Sequence, residues 1–518
     1  MAAMANRYDV VVVGSGFGGS ISALRLAQAG KSVAVLERGR RYNPGQFPRD
    51  VTRTNELLWR HASREKAQGL YDLRFLSGIG TATASGVGGG SLIYANIHVR
   101  PDPVVFEDPR WPKSYTRTSL EPYYDKVASE LKLTPVPESI ALRKRDVLRS
   151  AAQRMGREVF DPPEAVAWTE SPGPGRKPCQ LCAECEFGCQ FGSKQTMDQT
   201  YLARAEALGA TVWPRMQVSH VEPAPGGGYR VHFQDLVTGQ KRFVEGARVV
   251  LSAGTLGTVE ILLRSRDKTR TLPRLSARLG HGYSGNGDFL ASVFNSREDL
   301  EPWVGPDVST VMRFFDAAPS FTMAAPTFNK PVMEVLAGMG QPNIIPLLQG
   351  LGAPLWPLLG PALDLAFSKG LLSKPARNAA DPARMTNLFG IGRDNANGRM
   401  VMKGGRLDIE WDYAGENKAL VARMEKAMRE LASQYGGTYA PLVTWQLFKK
   451  PLTVHSLGGA HLAESPERGV VSTEGEVFQY PGLYVADGSV IPSSIGFHPV
   501  MTISAVSERI VEAAARGF

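Results

Sequence analysis

The chain opens with two different spacings of apolar residues. Val10-Val11-Val12-Val13 is an unbroken apolar run that ends at a glycine. Four β-branched residues with no polar alternation predict a strand covered on both faces, as in a parallel sheet. From Phe17 onward the apolar positions Ile21, Leu24, Leu26 and Ala27 follow a helical period, and Gly30 marks the stop. Ser32-Val33-Ala34-Val35-Leu36 then reads as a second strand ending at Glu37. Between strand and helix, Gly14, Gly16 and Gly19 form G-x-G-x-x-G. Their roles in such a turn are the tight bend, a close backbone approach to a pyrophosphate, and helix–strand packing. Backbone N–H groups at the helix start face the anion, and a terminal acid such as Glu37 accepts bonds from an adenosine ribose. The pattern predicts a dinucleotide site. The alternative is a tight βα turn in another α/β fold.

Farther along, residues 39–77 are polar and aromatic and are expected to run over the surface. Residues 78–92 are dense in glycine, with Ile79, Val87 and Leu92 interleaved. Neither a helix nor an ordinary strand is expected there. Backbone pressed against a flat ligand suits the run, because glycine has no Cβ to collide; a flexible linker is the bland alternative. Arg143-Lys144-Arg145, with Arg149, Arg154 and Arg157, reads as an exposed basic helix face over Val147, Leu148, Ala151 and Met155. Residues 344–363 carry no charge and four prolines, which forbid a straight helix. That stretch is either a buried lining or a lipid-facing lid over an apolar substrate.

A chain of 518 residues has room for two or three domains, and 43% hydrophobic content with 54 glycines suits an α/β protein with many tight turns. The net charge of +9 comes with no recognisable nucleic-acid module. No apolar export segment precedes the first strand and no long apolar span suits a membrane helix, so a cytoplasmic location is the default expectation, with membrane-peripheral contact through the 344–363 lid.

The C-terminal part carries His455-Ser456-Leu457-Gly458-Gly459-Ala460, then a strand ending Asp487-Gly488, then Gly496-Phe497-His498-Pro499 and a helix. Together with the G-x-G-x-x-G turn, Glu37 and the 86–96 stretch, this succession resembles the glucose-methanol-choline (GMC) family of flavin oxidoreductases, in its bacterial cholesterol oxidase-like branch. The resemblance spans nearly the whole chain. It implies an α/β fold: a discontinuous Rossmann-like FAD-binding domain at 1–105, 200–295 and 450–518, a connecting region at 106–199, and a substrate-binding domain at 296–449 built on a mostly antiparallel sheet plus helices. It implies FAD contacts from Gly14, Gly16, Phe17, Gly18, Gly19, Glu37 and Arg38. Further contacts come from Gly86, Gly89, Gly90, Ser91, Tyr94, Asn96, Val218, Ala253, Gly254, Asp487, Gly488, His498 and Pro499. Gly285-Asn286-Gly287-Asp288 closes the flavin lobe in the same reading. The implied catalytic residues are His455 and His498, with Glu334 as a match to the glutamate of sterol oxidases. Histidine suits proton removal because its pKa lies near operating pH. The helix after His498-Pro499 would point its positive end at the flavin.

All four cysteines lie in one run: Cys179, Cys182, Cys185 and Cys189, spaced C-x2-C-x2-C-x3-C. That is the bacterial ferredoxin spacing, with Gln190 where proline is usual. Three or four thiolates at this spacing can hold a 3Fe–4S or 4Fe–4S cluster. Zinc in a four-cysteine knuckle is a second reading. Disulfides or free thiols are a third, which a cytoplasmic setting disfavours.

The expectation is therefore FAD-dependent oxidation of the hydroxyl of a bulky apolar, steroid-like alcohol. Electrons then pass to a protein or quinone acceptor, through an iron–sulfur cluster if one is present. One alternative is a direct O2-using oxidase with a structural four-cysteine site. A nicotinamide-dependent dehydrogenase leaves the C-terminal motifs unexplained. A lipid-binding or electron-carrier flavoprotein without alcohol-oxidising activity leaves His455 and His498 without work.

Overall fold

The computed structural model describes residues 5–49, 54–59, 69–339 and 380–516. The apolar stretch at 344–363 lies outside the described residues.

Strand β1 (Arg7–Val13), helix α1 (Phe17–Gln28) and strand β2 (Val33–Glu37) form the βαβ unit. Val10 to Val13 are at most 2% exposed, as a run without polar alternation requires. α1 is capped at Ala29, and Gly30 follows with φ +75°. β1 lies between β2 and strand Lys241–Leu251 and runs parallel to both. The sheet runs Thr211–Pro214, β2, β1, Lys241–Leu251, Tyr229–Asp235, Met216–Pro223. Leu483–Val485 also pairs in parallel with Lys241–Leu251, so the sheet draws strands from three distant stretches of chain. α1 packs against the C-terminal helix Val500–Arg516. Arg25 clamps that contact through a bidentate pair with the buried Glu508, at 2.8 and 2.7 Å.

A second, six-stranded sheet is antiparallel throughout: Thr438–Pro441, Phe289–Phe294, Thr386–Gly392, Phe321–Ala324, Val311–Phe314 and the short Val159–Phe160. The apolar face of helix Lys418–Gln434, with Leu420, Met424, Met428 and Leu431, packs into its core. The GMC-like reading of an FAD-binding α/β part with an antiparallel second part therefore describes the fold.

Three local expectations are corrected. Residues 80–84 of the glycine-dense run form an ordinary strand, Gly80–Ala84, paired with Tyr71–Phe75. The Gly89–Leu92 turn that follows is a short 3-10 helix. The 39–77 segment does not simply skirt the surface: Tyr42, Phe47 and Leu70 are buried with Leu92 in a small core of their own. In helix Arg143–Arg154, Lys144 and Arg145 are buried rather than exposed. The Lys144 ammonium donates to Thr327 Oγ1 at 2.6 Å, and Arg145 donates to the Ile140 carbonyl at 2.7 Å. Among the described residues no helix is long and apolar enough to cross a membrane.

Candidate active site

The glycines of the first turn are demanded by their neighbours in different ways. A Cβ on Gly14, which has φ +94°, would stand 2.3 Å from the Ser252 carbonyl oxygen. One on Gly18 would stand 1.6 Å from the Ala486 carbonyl oxygen, and one on Gly19 2.0 Å from that of Gly14. Gly16 differs: its nearest neighbour would be Gly89 Cα at 3.8 Å, so the space before it is open. Gly89 belongs to the second glycine segment, and the two segments back onto one another there.

Ser15 fastens this cradle. Its N–H and hydroxyl donate to Glu37 Oε2 at 3.1 and 2.7 Å, and its hydroxyl oxygen accepts from Gly88 N at 3.1 Å. Gly39 N donates to Glu37 Oε1 at 2.8 Å. An ionised carboxylate has about four acceptor positions, so Glu37 keeps capacity for a ribose hydroxyl. Arg38 pairs with Asp72 at 3.0 Å. Ser91 braces the second glycine segment by donating to Gly88 O and accepting from Met197 N. Gly86 lies against Leu92 and Tyr42, and Gly90 against the Phe17 ring. Tyr94 meets Phe17 edge-on at 5.4 Å, and Asn96 turns the chain with φ +67°. Val218 is buried in the strand Met216–Pro223. Asp487 accepts from Ser489 N at 2.9 Å and from Thr258 Oγ1 at 2.5 Å, which fixes Gly488 beside the helix that starts at Gly254. Thr258 Oγ1 also accepts from Ala253 N.

The residues present fit FAD. Ser85 Oγ, Tyr94 OH and His98 Nε2 are buried with no hydrogen-bond partner in the protein, and the space before Gly16 would be filled by a Cβ. Unpartnered buried polar atoms cost about 1–3 kcal/mol each, and a polar, extended cofactor would satisfy them.

The structure brings His455 and His498 together, with ring centroids 5.4 Å apart and planes at 79°. Two turns hold them. Asn286, at φ +54°, accepts from Ile495 N and Gly496 N and donates to the Phe497 carbonyl, so it sets the loop just before His498. Asp288 Oδ2 accepts from Thr453 Oγ1 at 2.8 Å and Val454 N at 2.9 Å, while its Oδ1 lies 2.8 Å from His455 Nδ1. Asp288 is fully buried. A carboxylate in this position keeps the proton on Nδ1 and leaves Nε2 as the basic nitrogen. Burial, reinforced by His455 and His98 nearby, pushes His498 well below its ordinary pKa, so it is a neutral imidazole. Phe389 stacks on His455 at 5.4 Å and 8°, and stands edge-on to His498. Pro499 precedes the helix Val500–Arg516.

Glu334 does not join this pair: it is exposed on helix Lys330–Met339, whose Met333 and Ala337 face the Phe294 and Met385 side.

The cysteines are half-buried around the short 3-10 turn Cys185–Phe187. Burial pushes the Cys179 thiol up to about 12 and the Cys182 thiol to about 11, and Cys185 is raised well above its ordinary value. Such thiols stay protonated at neutral pH unless a cation compensates them. Leu181 and Ala183 take positive φ and bond to Gly305 through their carbonyl and N–H. Lys194 links this loop to the glycine segment: its ammonium donates to the carbonyls of Leu92, Tyr94 and Cys185 at 3.2, 2.7 and 2.8 Å.

Asp288, His98, Ser15 and Phe389 went unassigned as site residues in the sequence. Gly285-Asn286-Gly287-Asp288 was read only as closing the flavin lobe, and its acid is the residue that faces His455 Nδ1. Nothing local marks Phe389 or His98.

Residues 77–279 and 404–507 match family profiles described as GMC oxidoreductase, and residues 9–43 match one described as FAD binding domain. A cholesterol oxidase of Mycobacterium tuberculosis is 30% identical over 97% of this chain and 90% of its own length. A cholesterol oxidase of Acinetobacter baumannii is 28% identical over 97% and 93%. A long-chain-alcohol oxidase of Arabidopsis thaliana is 25% identical over 98% of this chain and 67% of its own. Among solved structures, a fungal aryl-alcohol oxidase superposes with a TM-score of 0.64 at 16% identity, covering 99% of this chain and 100% of that one.

Proposed function

The chain belongs to the GMC oxidoreductase family, and we propose that it is an FAD-dependent enzyme oxidising the hydroxyl of a bulky apolar alcohol, a sterol or steroid first. The observation that carries the chemistry is the buried Asp288 behind His455, with neutral His498 beside it. Support for the substrate class comes from relatives named for cholesterol and long-chain alcohols and from the aromatic wall of Phe389, Phe497 and Phe315 near the pair.

FAD, when bound, supplies the acceptor for the hydride leaving the carbinol carbon. The chain's own residues handle the proton. His455 Nε2 takes it from the alcohol oxygen, and Asp288 opposite Nδ1 stabilises the imidazolium that results. His498 holds the hydroxyl by a hydrogen bond without adding a charge. Phe389 fixes the plane of the His455 ring and keeps water from that face.

The cysteine run is proposed to hold an iron–sulfur centre that passes electrons to a protein or quinone. The spacing supports this, as do the buried thiols that need a cation and the Lys194 bridge to the glycine segment. Iron and acid-labile sulfide in the ratio of a 3Fe–4S or 4Fe–4S cluster, with an electron paramagnetic signal, are expected. Zinc without sulfide would overturn the cluster and favour direct transfer to O2. For the main reading, anaerobic mixing with a 3-hydroxysterol or a long-chain primary alcohol should bleach the flavin band. A yellow protein that no apolar alcohol bleaches would refute it.

A further inference from the structure

We propose that His220, Glu222 and His232 form a site for a divalent transition-metal ion, Zn2+ by preference, on the outer hairpin of the first sheet. Strands Met216–Pro223 and Tyr229–Asp235 are antiparallel, and His220 stands directly opposite His232. Glu222 lies two residues beyond His220, so period-two alternation puts it on the same face. The two imidazoles stack at 4.3 Å with planes 4° apart. One ligand atom from each of the three residues lies within 4.8 Å of the other two.

The individual atoms suit a metal. His220 Nδ1 is 2.9 Å from Ser219 Oγ, an outer-shell contact that fixes the ring and leaves Nε2 available. His232 Nε2 is 3.0 Å from Glu222 Oε1 but is not aligned for a hydrogen bond and has no other partner. Two imidazoles and a carboxylate suit zinc in tetrahedral geometry, with water as fourth ligand. Ligand atoms around zinc sit roughly 3.4 Å apart, and the lone pairs of the two stacked rings run parallel, so binding turns the rings out of the stack toward a common point. A cavity of about 380 Å³, lined among others by Ser219, His220, His232, Phe243 and Arg264, gives access.

Lys241 and Arg242 also line the cavity, while the two arginines nearest the carboxylate chemistry, Arg264 and Arg230, each have another carboxylate. Arg264 pairs with Glu260 at 2.6 Å, and Arg230 pairs with Glu245 at 2.9 Å while lying 3.7 Å from Glu222. The metal therefore takes Glu222 without stranding a guanidinium. Val218, two residues back along the same strand, is one of the FAD contacts the family resemblance implies, so a bound ion would brace a strand expected to flank the cofactor.

The test is calorimetric titration of the FAD-loaded protein, free of any histidine tag, with ZnCl2. The natural chain should bind one equivalent more than His220→Asn or His232→Asn. Loss of an outer-shell partner costs about 10–100-fold in affinity, so loss of a direct ligand should weaken this equivalent by more than about 100-fold. Glu222→Gln should weaken it less than either histidine change. Zinc taken up by the cysteine run is common to all these proteins and cancels. Added Zn2+ should raise the melting temperature of the natural chain more than that of the variants. Equal stoichiometry and affinity in all of them would overturn the site. Should a variant fail to fold, Co2+ added to the natural chain decides. Ligand-field bands of a nitrogen–oxygen site, with or without thiolate charge transfer from the cysteine run, support the site, and thiolate bands alone refute it. Either outcome is independent of whether the protein oxidises a sterol.

Discussion

Replacing Asp288 by Asn changes one oxygen to nitrogen and should disable the base without disturbing the fold. The surroundings dictate how the new amide sits. Val454 N and Thr453 Oγ1 donate to one carboxylate oxygen at 2.9 and 2.8 Å. The Val454 N–H can only donate, so the amide carbonyl must take that position. The amide NH2 then faces His455 Nδ1 across the present 2.8 Å. A donor there obliges Nδ1 to accept, and the ring proton moves to Nε2, the nitrogen that should receive the alcohol proton. General-base assistance is worth about 10²–10⁴-fold, so flavin reduction should slow by that factor, about 3–5 kcal/mol of barrier. Volume and hydrogen-bond count are nearly unchanged, so FAD content and melting temperature should stay close to those of the natural protein. The assay is anaerobic single-turnover mixing with excess alcohol, following loss of the flavin band. An unchanged reduction rate in a fully FAD-loaded Asp288→Asn protein would refute the orienting role and, with it, His455 Nε2 as the base.

Three further outcomes are expected. His455→Ala and His498→Ala should each slow flavin reduction by about 10²–10⁴-fold with FAD retained, and the double variant should be little worse than either, because the two act on one hydroxyl; additive losses in the same single-turnover assay would contradict this. Gly16→Val should fold but purify colourless, since its Cβ meets only Gly89 Cα at 3.8 Å, whereas Gly18→Ala, facing the Ala486 carbonyl at 1.6 Å, should lose more than about 3 kcal/mol of stability; flavin absorbance and urea midpoints separate the two. Burial holds His98 and His461 at about 4 in the folded chain, against about 6.5 unfolded. The unfolded state then takes up protons first as pH falls, so stability is intact above about 6.5 and declines toward 4, by up to about 3 kcal/mol for each histidine; a urea midpoint that stays flat over that window would count against their burial.

The βαβ unit was legible because each of its parts is local: a run of valines, a glycine turn, a helical period and a terminal acid, all close together in the chain. The pairing of His455 with Asp288 was not, because 167 residues separate them and only the sheet arrangement joins them. Lys144 misled for the same reason, with Thr327 far along the chain, whereas Arg145 turns back on the nearby Ile140 carbonyl. Their charges look solvated until Thr327 and the Ile140 carbonyl are seen to receive them. Residues 39–77 offered a fairer signal, since Tyr42, Phe47 and Leu70 are apolar enough to need a core, and Leu92 supplies it from the glycine segment.

The order of strands in the first, mixed sheet also sets a timetable for synthesis. β1 and the glycine turn leave the ribosome well before Leu483–Val485 and the helix Val500–Arg516 that complete their surroundings. Until Glu508 arrives, Arg25 lacks its bidentate partner, and the face of α1 that meets the last helix is bare. Pairings this far apart in sequence are slow to form and leave apolar surface open to wrong partners. Since His498 lies between those last two elements, a nascent chain can assemble neither a closed cofactor cradle nor the histidine pair. Cofactor capture is thus a late event in the maturation of this protein, and dependence on chaperones would be greatest just before it.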